Sequence, residues 1–286
     1  MAKTMKAKVS QVSNVSKVRK YILNICHLYP DLMDTYGDKG NIAAIQKRCE
    51  WREIDVKIAN ISVGQPLPNF DFDFYFFGGG QDKTQTIVGI DLQKEKHPLE
   101  RAVNNGAVLL SICGGYQLLQ KYFKTKTGEI IKGIGLFDAF TVGSDERMIQ
   151  NLLIEIKNNL HAQINAVYPN SDIRTPTSEL VGFENHSGKT YLGKNVQPLG
   201  RVIKGAGNNG EDKTEGAVYK NAFGCYLHGS LLPKNPHFAD YLIAKALERR
   251  YGNIKLKPLD DEIEWQAHKS AVDRTRSQVL APKLKI

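Results

Sequence analysis

The sequence predicts an α/β fold in which a mostly parallel sheet is covered by helices on both faces. Three observations carry that prediction. Apolar strand-like runs alternate with helical periods from Tyr21 to about Phe123, the pattern of a doubly covered parallel sheet. Two of the runs stop at glycines, Phe72–Phe77 at Gly78-Gly79-Gly80 and Ala107–Ile112 just before Cys113-Gly114-Gly115. The second stop has the strand–turn–helix form that lifts a nucleophile out of a sheet.

Taken in order, Tyr21 to Leu28 reads as a first strand and Tyr29-Pro30-Asp31 as a loop. Gly40 to Trp51 has a helical period, and Asp55 to Ser62 reads as a second strand. Phe72–Phe77 is a third strand, 91–105 a helix, and Ala107–Ile112 a fourth strand followed by a helix reaching about Phe123. The second half is richer in strands, at Leu180–Glu184, Thr190–Leu192, Gly200–Lys204, Gly216–Tyr219 and Gly224–Leu227. Residues 158–178 show no clear period and read as an insertion. Asn235-Pro236 opens a helix running to Tyr251, because proline fits the first helical position. Residues 260–276 form a last helix, with acids in front and Arg274 and Arg276 behind, complementing the helix dipole. The organisation predicted is a basic leader over 1–20, one domain over 21–251 and a helical extension over 252–286.

A net charge of +9 over 286 residues suggests nucleic acid until it is located. Residues 1–20 carry six Lys/Arg and no acid, whereas 21–251 carry 26 basic against 25 acidic residues. A nearly neutral globular part argues against a nucleic-acid-binding domain. No window approaches the roughly 18–20 apolar residues of a membrane span. The leader lacks the apolar core of a signal peptide, and as a disordered basic arm it makes at most a weak contact with an anionic membrane surface, at the inner face of the plasma membrane. The four cysteines (Cys26, Cys49, Cys113, Cys225) form no CxxC pair and no zinc-spaced cluster. A reduced, cytoplasmic setting and no metal follow as expectations.

Cys113 lies between a buried strand and a helix start, where helix N–H groups favour a thiolate. Alone, it reads equally as a buried structural cysteine before a glycine turn. A nucleophile needs a base, and His228, after Gly224–Leu227 and before Gly229, is placed at another strand end. Alone, it too reads as a structural histidine. Cys225 points to the opposite side of its strand and packs in the core. An oxyanion hole takes two backbone N–H groups; Gly114 supplies one, and Gly79 in the neighbouring glycine turn is the expected second. The runs 78–84 and 207–214 both end in Lys-Thr but carry aspartate where a phosphate loop needs glycine before its lysine. No nucleotide site is expected in this chain.

The elbow Ser111-Ile112-Cys113-Gly114-Gly115-Tyr116-Gln117 resembles that of class I (triad) glutamine amidotransferases. Four further segments extend the likeness to the cobyric acid synthase-like family, and within it to the glutaminase subunits of bacterial lipid II isoglutaminyl synthases. They are Leu28–Met33 with Tyr36–Asn41, Gly182–Gly188, Gly205–Asn209 and Leu227–Pro236, spread over roughly residues 21 to 278. The resemblance implies a three-layer, flavodoxin-like class I amidotransferase fold. It implies that Cys113 attacks the side-chain amide of L-glutamine, with His228 as base and then acid. It implies a heterodimer with an ATP-dependent, Mur-ligase-like subunit that amidates the D-glutamate α-carboxylate of lipid II. ATP and Mg belong to that partner, and no cofactor is expected here.

By the same resemblance Arg147 holds the substrate α-carboxylate; otherwise it is a solvated surface arginine. Gln117 orients the substrate, or is a polar residue on the first helical turn. His186 shapes the substrate loop rather than acting as base. One departure stands out: where many class I glutaminases carry an acid two residues after the histidine, this chain has Ser230. Either a Cys–His dyad operates or another carboxylate orients His228, with Glu184 the internal candidate and an acid of the partner the external one. Low glutaminase activity alone, rising in the complex, is the expectation that follows. The alternatives are a glutaminase component of cobyric acid or cobyrinate amide synthesis and a non-catalytic scaffold that docks a ligase.

Overall fold

The computed structural model describes residues 21–68, 71–156, 159–167, 177–278 and the backbone of 284–285. The chain forms β1 (Tyr21–Leu28), α1 (Gly40–Glu50), β2 (Ile54–Ile61), β3 (Phe74–Phe77), α2 (Asp82–Leu92), α3 (Lys96–Asn104), β4 (Val108–Ile112) and α4 (Gly114–Leu118). There follow β5 (Tyr122–Lys124), β6 (Ile130–Lys132), β7 (Ala139–Glu155), α5 (Asn159–Val167), β8 (Glu179–Leu192), β9 (Gly200–Lys204), β10 (Thr214–Glu215), β11 (Ala217–Tyr219) and β12 (Ala222–Cys225). The last elements are α6 (Leu231–Lys234), α7 (Pro236–Tyr251), α8 (Glu262–Ser277) and β13 (Leu284–Lys285).

The central sheet has the order β11-β12-β4-β3-β1-β2, parallel except for the edge strand β11. Phe77 pairs with Ser111, and Ile112 with Cys225. The three strands β3, β4 and β12 therefore end at one level, and the turns after them share one edge, where α/β sheets bind ligands. β3 and β4 are buried along their whole length, which explains their continuous apolar runs in place of alternation.

A second, mixed sheet runs β10-β9-β7-β5-β6, with β8 and β13 also on β7. Its long strand, Ala139–Glu155, was invisible to periodicity because residues on both faces are only half-buried through its middle. Its pairing with β8 also breaks at a bulge between Gly143 and Met148. Two expected elements are corrected. The helix after Cys113 stops at Leu118 rather than Phe123, and Tyr122–Lys124 joins the second sheet. Asp82–Leu92 is helical, and the helix expected over 91–105 is the tail of α2, a short turn and α3.

The leader over 1–20 lies outside the described residues. Of the expected insertion, 159–167 form α5 and 168–176 lie outside them. Among the described residues no helix is long and apolar enough to cross a membrane.

One buried ion cluster fixes α1, and α1 begins two residues after a residue of the site, Asp38. Arg48 forks onto Asp240 of α7 (2.6 and 2.7 Å) and Asp261 before α8 (2.8 and 2.7 Å), and Arg52 adds two bonds to Asp240 (2.9 and 2.7 Å). Each of these four side chains is at most 5% exposed. Removing Arg48 would take both of these bonds from Asp261 and leave Asp240 with Arg52, and breaking a buried pair in this way typically costs about 3–5 kcal/mol.

Candidate active site

Cys113 takes φ 48°, ψ −106°, a conformation costly for any residue with a side chain. Its N–H is held by the carbonyl of Cys225 at 2.8 Å, and its carbonyl by the N–H of Gln117 at 2.9 Å. The strained turn is over-determined by β12 on one side and α4 on the other. Gly115 must be glycine, since a Cβ there would stand 2.6 Å from the Phe77 carbonyl oxygen. That approach brings the N-terminus of α4 against the Gly78–Gly80 turn. Burial pushes the thiols of Cys26, Cys49 and Cys225 up, Cys49 to about 12. None of the three is a nucleophile near neutrality.

His228 is completely buried, and its backbone bonds in both directions to Phe183 of β8. Its Nδ1 lies 3.1 Å from Oδ1 of Asp38, which is equally buried. The other oxygen, Oδ2, accepts the N–H of Gly79 at 2.8 Å. Burial pulls the imidazolium down, but its neighbours Cys113 and Asp38 hold it up at about 10. Nε2 has no hydrogen-bond partner of ordinary geometry among the described residues. With Nδ1 committed to Asp38, Nε2 is the nitrogen left for proton transfer at Cys113. A Cβ on Gly79 would stand 2.9 Å from His228 Cε1, 3.1 Å from Asp38 Oδ2 and 3.3 Å from Cys113 Cβ. Cysteine, histidine and aspartate thus converge on a glycine that has room for nothing else.

The carboxylate beside His228 is Asp38, not Glu184, the internal candidate that the sequence offered. The carboxylate of Glu184 is spent elsewhere, accepting the N–H groups of Ala206 (2.7 Å) and Gly207 (2.8 Å). It clamps the Gly205–Asn209 loop and lies 3.8 Å from Nε2 of His186. Ser230 donates to the carbonyl of Gly37 at 2.8 Å and ties down the loop that carries Asp38. Asp38 escaped sequence reading because 190 residues separate it from His228. The signal was the acid in Tyr36-Gly37-Asp38-Lys39-Gly40-Asn41, on the loop that follows β1 at the same sheet edge.

The N–H of Gly79 is already used by Asp38, which argues against its role as an oxyanion donor. The N–H groups of Gly80 and Gly114 have no acceptor among the described residues. They lie together, since a Cβ on Gly114 would stand 2.7 Å from Gly80 N.

The remaining predicted residues are each held by neighbours of their own. Gln117 donates through Nε2 to the Tyr226 hydroxyl at 3.0 Å, which also bonds Thr190 at 2.7 Å. His186 stacks on the Tyr226 ring with centroids 3.6 Å apart, its Nδ1 2.8 Å from the Gly188 carbonyl oxygen. Those contacts fit a shaping role and place it on Tyr226 rather than on Cys113. Arg147, beside the bulge of β7, donates from Nε to Asn185 Oδ1 at 2.9 Å and from Nη2 to the Tyr36 hydroxyl at 3.4 Å. Tyr36 in turn sets its ring edge on His228, centroids 5.1 Å apart and planes at 77°. The structure therefore joins Arg147 to His228 through a single tyrosine.

A cysteine on a strained elbow, a histidine fixed by a buried aspartate and two unpaired N–H groups make an acyl-transfer site of the triad kind. Residues 24–236 match the CobB/CobQ-like glutamine amidotransferase domain, and the chain belongs to that family of enzymes. Within the family it is 38% identical over 256 residues to the lipid II isoglutaminyl synthase (glutamine-hydrolyzing) subunit GatD of Staphylococcus aureus, covering 90% of this chain and 97% of that one. The protein of the same description from Streptococcus pneumoniae is 37% identical, covering 84% and 87%. A probable cobyric acid synthase of Methanococcus maripaludis is 34% identical, but the match takes in only 38% of its length and 65% of this chain.

Proposed function

We propose that this chain is the glutaminase subunit of a lipid II isoglutaminyl synthase. Cys113 Sγ attacks Cδ of glutamine, and the oxyanion is received by the N–H groups of Gly114 and Gly80. His228 protonates the departing amine, so that ammonia leaves and a γ-glutamyl thioester remains. A water deprotonated by His228 then cleaves the thioester, releasing glutamate and restoring Cys113 and His228 for the next turnover. Asp38 keeps the imidazole in the tautomer this requires.

The ammonia goes to an ATP-using, Mur-ligase-like subunit, which amidates the D-glutamate α-carboxylate of lipid II. ATP and Mg are expected on that partner. The observation that carries the reading is the convergence of Cys113, His228 and Asp38 on Gly79. Near-complete coverage of the two isoglutaminyl synthase subunits supports the partner and product over a cobyric acid pathway. Because the acid is internal, orientation of His228 needs no partner residue, and the isolated chain should hydrolyse glutamine at a measurable rate.

The test is glutamine-dependent amidation of lipid II by this chain with a co-expressed ligase subunit and ATP. Amidation that is lost in Cys113→Ala and restored by free ammonia supports the proposal. Full glutamine-dependent amidation by Cys113→Ala would make the chain a scaffold.

A further inference from the structure

Arg147 is held by neutral side chains. Its sequence neighbours Asp145 and Glu146 are paired with Lys126 (2.6 Å) and Lys189 (3.5 Å). Among the described residues no carboxylate forms an ion pair with Arg147 itself. The contacts with Asn185 and Tyr36 set the guanidinium one side chain away from His228.

Two neutral side chains hold it there. Asn185 Oδ1 accepts from Nε at 2.9 Å, and the Tyr36 hydroxyl takes Nη2 at 3.4 Å and Asn185 Nδ2 at 2.7 Å. The three side chains form a closed triangle. Tyr36 is itself kept in a left-handed conformation, φ 59°, ψ 25°, unusual for an aromatic residue. It is held by the bond from Thr35 N–H to the Gly79 carbonyl (3.0 Å) and from Lys39 N–H to Asp34 Oδ1 (2.7 Å). Strain maintained next to a reactive group is characteristic of functional positions. The ring edge of the same tyrosine rests on His228.

Resting on the glutaminase reading above, we infer that Tyr36 and Asn185 are the positioning pair that aims Arg147 at the substrate α-carboxylate. They thereby restrict the site to glutamine with a free carboxylate. One loop then addresses both ends of the substrate, Asp38 through His228 at the amide and Tyr36 through Arg147 at the carboxylate. Neither residue touches the reacting atoms, so their effect belongs in substrate binding and discrimination.

The test compares Tyr36→Phe, Asn185→Ala and the parent in the full chain with L-glutamine and with its α-carboxamide. Iodoacetamide alkylation of Cys113, which needs no carboxylate, serves as the control. Tyr36→Phe keeps the ring on His228 and removes only the hydroxyl. The expected result is a KM for glutamine raised about ten-fold, as when one hydrogen bond to a charged group is lost, with kcat within about two-fold. The preference for glutamine over the carboxamide shrinks by a similar factor, and alkylation is unchanged. Asn185→Ala acts in the same direction, and the double variant falls short of the summed effect because the residues share one network. An unchanged KM and preference would overturn the inference. So would a KM change accompanied by an equal fall in alkylation, since that marks general damage to the site. A parent that does not hydrolyse glutamine at all would instead overturn the glutaminase reading.

Discussion

Asp38→Asn separates the proposed triad from a Cys–His dyad. The two oxygens of Asp38 have different duties, Oδ2 on Gly79 N–H at 2.8 Å and Oδ1 on His228 Nδ1 at 3.1 Å. Asparagine offers one acceptor and one donor group in their place. If the amide oxygen stays on Gly79, the NH₂ meets Nδ1, which must become an acceptor while the proton moves to Nε2. The imidazole can then no longer take a proton at the nitrogen that serves Cys113. If the amide turns the other way, the NH₂ opposes Gly79 N–H and leaves a buried donor unpaired, at a cost of about 1–3 kcal/mol. Asp38 is fully buried, so water cannot relieve either arrangement. The first is the cheaper, and it predicts a folded protein with the wrong tautomer.

Acid–base catalysis by a positioned group contributes about 10²–10⁴-fold, equal to about 2.7–5.4 kcal/mol of barrier. Asp38→Asn should lose kcat/KM by that factor while its circular dichroism spectrum stays that of the parent. The pH profile supplies a second reading. His228, held up to about 10, keeps its proton through neutrality and loses it as pH rises through that value. Removing the charge of Asp38 leaves burial less opposed, so the alkaline limb of glutamate release moves to lower pH. The assay is glutamate release across pH, alongside iodoacetamide alkylation of Cys113. A kcat/KM within about three-fold of the parent, or an alkaline limb displaced upward, would refute the reasoning.

Other consequences are equally direct. Gly79→Ala puts a methyl 2.9 Å from His228 Cε1 and 3.3 Å from Cys113 Cβ, and should lower kcat/KM by at least about 10²-fold, as misplacement of reacting groups does; near-parent turnover would contradict the convergence. Glu184→Gln leaves one of the two clamped N–H groups unpaired and should cost about 1–3 kcal/mol in urea unfolding with kcat far less affected than in Asp38→Asn; the reverse pattern would return the orienting role to Glu184. Arg48→Ala should destabilise by about 3–5 kcal/mol in the same assay, because Asp240 and Asp261 lose their shared cation; a loss below about 1 kcal/mol would show the cluster to be relaxed. His237, buried against Trp265, is pushed down to about 3 by burial first and by His268 second. Its neutral form stabilises the fold above about pH 6.5, and this stability is lost as pH falls toward 3, by about 2 kcal/mol at pH 5 relative to pH 7. His237→Phe should narrow the gap between urea midpoints at those two pH values, and an unchanged gap would remove His237 from the acid response.

The central sheet and the elbow that carries Cys113 were legible because their signals are local. β3 and β4 are short, wholly buried apolar runs, and Cys113 sits at the junction of strand, glycines and helix. α7 announced itself through Asn235-Pro236 and an apolar face. β7 hid because its middle is half-buried on both faces and its pairing slips at a bulge. α2 hid behind Asp82-Lys83-Thr84, which first reads as the remnant of a phosphate loop. The carboxylate that meets His228 was beyond local pattern altogether. Two carboxylates, Asp38 and Glu184, sit in quoted motifs and both are fully buried. Only tertiary packing assigns one to a histidine and the other to backbone N–H groups. The choice between Gly79 and Gly80 as oxyanion donor likewise depends on a single hydrogen bond, from Gly79 to Asp38.

The central claim is that Cys113 carries the glutamyl group during turnover, and acid-quenched peptide mapping after mixing with isotopically labelled glutamine measures it directly. Label on the peptide containing Cys113, released by hydroxylamine and absent in Cys113→Ala, is the predicted result. Turnover at full rate without label on that peptide, or label on Cys26, Cys49 or Cys225 instead, would contradict it.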